Sequence, residues 1–172
     1  MGSVVGVNTR RYHGLLIGCT QPPVGRVVVV NQMLEYLSFP GSQGQAAVET
    51  SACAFPDGHQ QLVFAPQGLD HLASFEKGLH VQWVSRGEGF ELTRTLRLHW
   101  QQQAATLEYV ITSKHDALFT LVPMCTLRDF HAMRHAGDAH GLSATIQGQN
   151  LQLASAQAKA CLAKRWPREF AA

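Results

Sequence analysis

The densest run of side chains able to do chemistry is Asn8-Thr9-Arg10-Arg11-Tyr12-His13-Gly14, which leads into the apolar Leu15-Leu16-Ile17. If this run is an extended strand, Arg10 and Tyr12 face one side and Arg11 and His13 the other. A guanidinium is a planar fork of donors that suits carboxylates and also stacks on aromatic rings. Tyr12 and His13 add further donors and acceptors beside it. The plainer alternative is an arginine pair that meets local carboxylates at a domain interface, and on chemistry alone that is the commoner situation.

A second polar cluster, Arg128-Asp129-Phe130-His131, follows directly on the apolar run Leu118 to Cys125. Polar residues at a strand end often line a binding surface. The competing reading is an Arg128–Asp129 pair that stabilises a loop. His131, His135, Asp138 and His140 raise the question of a metal, but their spacing matches no closed zinc pattern and no cysteine completes it. A solvated His-rich loop is the better reading, so no metal and no other cofactor is expected.

Other chemistries find less support. Glycoside hydrolysis needs two carboxylates flanking the sugar bond. The chain has 12 acids, yet most fall on the wet positions of alternating runs (Glu91, Glu108) or in turns (Asp57, Glu88), and no convincing pair stands out. No G-x-S-x-G elbow is present. The Gly87-Glu88-Gly89 triplet has no helix after it and is no phosphate loop. No catalytic residue is therefore assigned.

The elements that must position these groups read as strands. Phe90, Leu92, Leu96, Leu98 and Trp100 alternate with Glu91, Thr93, Thr95, Arg97 and His99, the period of a strand with one wet face. Leu79, Val81 and Trp83 repeat the pattern upstream, and Gly87 to Gly89 joins the two runs as a hairpin. Gln101 to Gln103 turns the chain into a strand carrying Ala105, Leu107, Tyr109 and Ile111. The β-branched run Val27 to Val30 opens a strand reaching Leu37. Leu118 to Cys125 is apolar on both faces, which predicts a central strand covered on both sides. Ala47 to Phe55 and Leu142 to Leu153 are weaker strands, the latter turned at Gly148-Gln149-Asn150. Breakers at Pro22-Pro23, Pro40-Gly41, Pro56-Asp57-Gly58 and Pro66-Gln67-Gly68 separate the runs. Only Ala154 to Arg165 has helical character. The fold class that results is all-β and antiparallel, either a sandwich, supersandwich-like, or a large curved sheet, with one short C-terminal helix.

Composition narrows the function classes. With 172 residues and 45% hydrophobic content, one core is the default. Charged residues make up 15% and the formal net charge is +2, with no basic face of the kind that nucleic acid requires. No apolar stretch approaches the ~20 residues of a membrane span. Cys19, Cys53, Cys125 and Cys161 make no C-x-x-C motif. No secretory signal opens the chain, so free thiols in the cytoplasm are expected. The chain begins almost inside a strand and its tail from Ala156 shows no strand period, as expected of a fragment or a shortened product.

Two segments together carry a family resemblance. Val7-Asn8-Thr9-Arg10-Arg11-Tyr12-His13-Gly14-Leu15-Leu16, continued by Pro22-Pro23-Val24-Gly25-Arg26, closely resembles the N-terminal domain of prokaryotic-type glycogen debranching enzymes, the amylo-α-1,6-glucosidases. Leu127-Arg128-Asp129-Phe130-His131 is similar to that family's R-D-x-H segment after a buried strand. The likeness spans roughly residues 3 to 153, so the β-sandwich domain is drawn over 1–153, incomplete at its start, with 154–172 as an atypical tail or linker. Trp166 to Phe170 is faintly similar to an aromatic segment near the family's domain junction.

The resemblance implies a sandwich packed on a catalytic (α/α) barrel that bears the carboxylates and lies outside this chain. It makes Asn8, Arg10, Arg11, Tyr12, His13, Arg128, Asp129 and His131 candidates for holding glucan or meeting that barrel. The implied substrate is glycogen or limit dextrin, and this chain alone is expected to be inactive. The competing reading is a stand-alone carbohydrate-binding or self-associating module, with a homo-oligomer formed through the exposed interface.

Overall fold

A computed structural model describes residues 6–8, 10–21, 24–40, 47–56, 59, 61–133, 141–156 and 158–164. These form an all-β, antiparallel architecture. One sheet is built around the 14-residue strand β2 (Gly25–Ser38). It pairs with β1 (Leu16–Gln21) and the short β3 (Val48–Glu49) on one edge, and with β10 (Leu118–Asp129) on the other. A meander forms the facing sheet: β6 (Leu72–Lys77), β7 (Val81–Gly87), β8 (Phe90–Leu98) and β9 (Ala105–Ser113). A third meander joins β11 (Ser143–Gln147), β12 (Asn150–Ala154) and β13 (Lys159–Ala163). The pair β4 (Cys53–Pro56) and β5 (Leu62–Ala65) completes the set, followed by a 3-10 turn at Gly68–His71.

Strand β2 is long enough to serve two cores. At its C-terminal end, Leu37 packs with Phe90 and Leu92 of β8, and Tyr109, Ile111 and Phe119 close the cluster. At its N-terminal end, Val27, Val29 and Val30 pack with Leu127 and Leu153, flanked by Leu151, Ala160 and Leu162 of the third meander. The valine run suits this place because β-branched side chains fill a pleated, covered surface. Between the two cores the ladder slips: Met124 faces Gln32 but Cys125 faces Val30, which leaves Asn31 as an extra residue. A second shift lies between Cys125 and Arg128, where Leu127 has φ 41°. Such bulges re-aim a strand, and here they turn the end of β10 toward the N-terminal segment.

The two principal sheets are also joined by a buried polar link. Glu35 of β2 is 1% exposed and Arg94 of β8 is 6% exposed. Arg94 Nη1 donates to Glu35 Oε1 at 2.9 Å, and Tyr109 Oη of β9 donates to the same oxygen at 2.8 Å. Thr50 Oγ1 donates to Glu35 Oε2 at 3.3 Å, and the Glu35 amide donates to Ser51 Oγ at 2.8 Å. The Arg94 guanidinium lies 4.2 Å from the Trp83 ring centroid. A charge this deep survives only when its partners replace water.

Several expectations need correction. The Leu118–Cys125 run is not a central strand: β10 stands at the edge of the order β1-β2-β10, and Leu118, Leu121, Val122 and Met124 are exposed. Apolar residues on both faces are thus a poor guide to centrality when no described strand lies beyond them. Among the described residues of Ala154–Arg165 no helix forms. Lys159–Ala163 instead pairs with β12, turning Ala160 and Leu162 to the core. Alanine and lysine favour helix locally, but pairing and burial override that preference. Residues 10–14 form turns rather than a strand, with the His13 amide donating to Arg10 O at 2.9 Å. Ala47–Phe55 divides into β3 and β4. Leu98 and Trp100 continue the apolar alternation of β8 yet are 68% and 87% exposed, while Arg94 occupies an inward position in the same alternation.

The β7–β8 hairpin turns through Glu88-Gly89, with Gly89 at φ 80°, and the Gln101–Gln103 and Gly148 turns fall where sequence places them. The four cysteines are free thiols. No helix among the described residues is long and apolar enough to cross a membrane.

The buried link generates two predictions. Glu35→Gln or Arg94→Met alone strands a buried charge and should lower the unfolding free energy by about 3–5 kcal/mol. Urea titration measures this, and a loss below about 1 kcal/mol would contradict the link. Burial, reinforced by the Glu35 charge, also pushes the Tyr109 phenol far above its usual value of 10.0. Ionisation is then available only to the unfolded chain, so this contribution is whole below pH ~10 and is lost as pH rises beyond it. Alkaline unfolding should be less steep in Tyr109→Phe than in wild type, and identical profiles would contradict the assignment.

Candidate functional site

The bulged end of β10 brings the two polar clusters together. Arg128 is 8% exposed and its guanidinium serves backbone carbonyls. Nη1 donates to Ala132 O at 2.9 Å, Asp129 O at 3.2 Å and Phe130 O at 3.5 Å, and Nη2 donates to Arg11 O. One buried cation thereby shapes the loop after β10 and fixes the N-terminal turn against it. Burial lowers the Arg128 pKa, and the neighbouring Asp129 charge opposes that shift. The expected Arg128–Asp129 side-chain pair is not what holds the loop: Asp129 Oδ1 accepts the His131 amide at 2.8 Å.

Aromatic groups gather over this frame. The Tyr12 ring lies 4.8 Å from Phe130 and 5.6 Å from His131, and Phe130 and His131 stand edge-on at 5.4 Å. Arg11 lies 5.4 Å from the Tyr12 centroid and donates from Nη1 to His131 O at 3.3 Å. Arg26 of β2 sits 5.7 Å from the Phe130 ring, and its carbonyl accepts the Phe130 amide at 2.9 Å. Phe130 forms the half-buried floor of the patch, while Arg11, Tyr12 and His131 are exposed. The outward groups are therefore a phenol, an imidazole and a guanidinium, all planar and rich in hydrogen-bonding capacity.

The remaining candidates are placed differently. Asn8 Nδ2 donates to Asn31 O at the β2 bulge, so Asn8 ties the N-terminal segment to the sheet. Arg10 is exposed on the turn and supplies the carbonyl that His13 N bonds. His13 is half-buried, and burial, with the Arg10 charge contributing, lowers its pKa. His135, Asp138 and His140 lie outside the described residues, as do Asp57 and Thr9. Among the described residues no group of three metal-ligating side chains converges.

Phe130 and Arg26 belong to the patch although their roles were not read from sequence. Both stand inside the two family-like segments, so proximity within them was the available signal. The Glu35–Arg94–Tyr109 link went unread as well. Its signal was a charged residue at an inward position of two apolar alternations.

Among the described residues Asp129 is the acid of this patch, and it is engaged with a backbone amide. Elsewhere Glu91 accepts from Arg86 at 2.6 Å, Glu108 faces Arg97 at 3.8 Å and Glu49 accepts the Gln67 amide at 2.7 Å. The patch offers stacking and hydrogen bonding on a surface held from beneath by Arg128. Arg128→Ala should cost about 1–3 kcal/mol by leaving part-buried carbonyls without their donor and should raise amide hydrogen exchange at Phe130–Met133. Unchanged exchange there would show that Arg128 does not hold the loop.

Comparison with known proteins gives one result. The family model described as glycogen debranching enzyme N terminal matches residues 1–171. No curated protein and no solved structure matches. A match over nearly the whole chain, with both polar segments inside it and an antiparallel all-β fold beneath them, shows that the chain belongs to the glycogen debranching enzyme N-terminal family.

Proposed function

We propose that this chain is a non-catalytic sandwich domain of an α-1,6-glucosidase acting on glycogen or limit dextrin, and that its Arg11–Tyr12–His131 patch meets the catalytic (α/α) barrel or the glucan at its mouth. The single observation that carries this reading is the convergence of two distant segments, 117 residues apart at Arg11 and Arg128, into one exposed aromatic and cationic surface on a rigid support. Arginine donors and aromatic faces suit sugar hydroxyls and the apolar faces of glucose rings. They equally suit the polar rim of a domain interface. Glu35, Glu91, Glu108 and Asp129 are engaged in structural bonds, which favours carboxylates supplied by the barrel. In this reading the protein works in the cytoplasm.

A second reading, a self-associating or stand-alone glucan-binding module, is favoured by one feature. The outer side of β10 exposes Leu118, Val122 and Met124, and exposed apolar groups on an edge strand invite a partner.

Incubation of the purified chain with limit dextrin should release no glucose, and robust release would refute the non-catalytic assignment. In native electrophoresis through glycogen, a glucan-facing patch predicts retardation that Tyr12→Ala weakens roughly tenfold, about 1.4 kcal/mol. Wild-type retardation unchanged in Tyr12→Ala would remove the patch from glucan binding. If the patch instead meets the barrel, Arg11→Ala should destabilise the barrel-containing enzyme more than this chain. Equal losses in both would leave Arg11 a role within the domain alone.

A further inference from the structure

We propose that the cavity between the two principal sheets, beside Gly6, is a binding site for one resident water molecule that accepts from Arg94 Nε–H and donates to Gln32 Oε1. Both side chains are more than nine-tenths buried, Gln32 at 1% and Arg94 at 6% exposure. These two atoms are the buried side-chain polar atoms that have no protein partner among the described residues. Both residues line the same cavity.

The orientation of Gln32 is fixed by its nitrogen. Nε2 donates to Gly6 O at 3.0 Å and to Ala52 O at 3.0 Å, which uses both of its hydrogens. Turning the amide over would set Oε1 against two carbonyl oxygens, so an amide flip cannot satisfy it. Arg94 is fixed just as firmly: Nη1 is bonded to Glu35 and the guanidinium plane rests near the Trp83 ring. Its Nε–H therefore cannot swing away to another acceptor without breaking the link between the sheets.

The two atoms are complementary, one acceptor and one donor. The space open to a water's centre is about 10 Å³, close to the ~10–15 Å³ that a single water needs. Buried Ser51 and Ser85 line the same space, and a hydroxyl there can supply the third bond typical of an internal water. The water completes a chain of polar contacts from Gly6 O through Gln32, the water and Arg94 to Glu35 and Tyr109. The N-terminal segment would then be tied to the buried link. Gly6 itself has φ 78°, and a Cβ there would come within 2.7 Å of Arg94 Nη2, so the segment must approach this closely as glycine.

The test is a high-resolution crystal structure of this chain together with water–protein cross-relaxation by NMR. The expected crystallographic result is one water oxygen within ~2.7–3.2 Å of both Gln32 Oε1 and Arg94 Nε. A dry cavity, or a protein group bonded to either atom, would overturn the proposal. In solution, the Arg94 Nε–H resonance of the wild-type chain should show a water cross-peak with the sign of a long-lived bound molecule. Gln32→Met should abolish it. A wild-type cross-peak that is absent, or that has the sign of bulk water, would overturn the proposal whether or not the variant folds.

Discussion

A carboxylate buried between two sheets must be neutralised and hydrogen-bonded where it stands, and Glu35 sets that constraint here. Its oxygens take the Arg94 guanidinium, the Tyr109 phenol and the Thr50 hydroxyl. Those partners come from β8, β9 and the segment after β3, so satisfying one charge fixes the relative placement of the two sheets. Hydrophobic packing of Leu37 on Phe90 and Leu92 drives the layers together but is non-directional. The ion pair adds direction. Its energetic contribution lies chiefly in the penalty for removing one partner, since a buried pair often does no better than an apolar replacement.

The presentation of the patch follows from the same long strand. β2 carries Glu35 near one end and the valine run at the other, and the bulge at Asn31 separates the two regimes. Beyond it β10 shifts register again, and the chain after Leu127 turns toward the N-terminal segment. Arg128 then performs at the rim the task that Arg94 performs inside. It gathers groups from distant parts of the chain around one buried cation, but it does so through carbonyls rather than a carboxylate. Arg11, Tyr12 and His131 are left outward on this support. Binding surfaces are well served by such an arrangement, because adaptable side chains sit on a backbone that is already held.

The sequence made the strands legible wherever period-two patterning met clear turn signals. β7, β8 and β9 are the best cases, with Gly87-Glu88-Gly89 and Gln101–Gln103 as their boundaries. β13 was hidden because Ala158, Ala160 and Leu162 alternate with lysine, cysteine and alanine in a composition that favours helix locally. The edge position of β10 was hidden because apolar residues on both faces say nothing about which neighbours exist. At the site, Arg11, Tyr12, Arg128 and His131 were legible as chemistry-bearing residues, and their order matched one family. Their mutual contact was not, because it depends on the two register shifts in the β2–β10 ladder. Arg94 was missed although it interrupts the apolar side of β8 between Leu92 and Leu96. An inward charge in an alternating strand asks for a buried partner, and Glu35 in its own apolar run was that partner.

The central claim is that a rigid sandwich offers the Arg11–Tyr12–His131 surface to a catalytic barrel carrying the acids. Hydrogen–deuterium exchange of this chain, alone and mixed with a separately produced barrel from a debranching enzyme of the same family, tests it most directly. The account predicts slowed exchange at Arg10–His13 and Phe130–Met133 on mixing, with the Glu35 and Arg94 amides already slow in both samples. Unchanged exchange at those two segments, alongside protection on some other face of the sandwich, would contradict it.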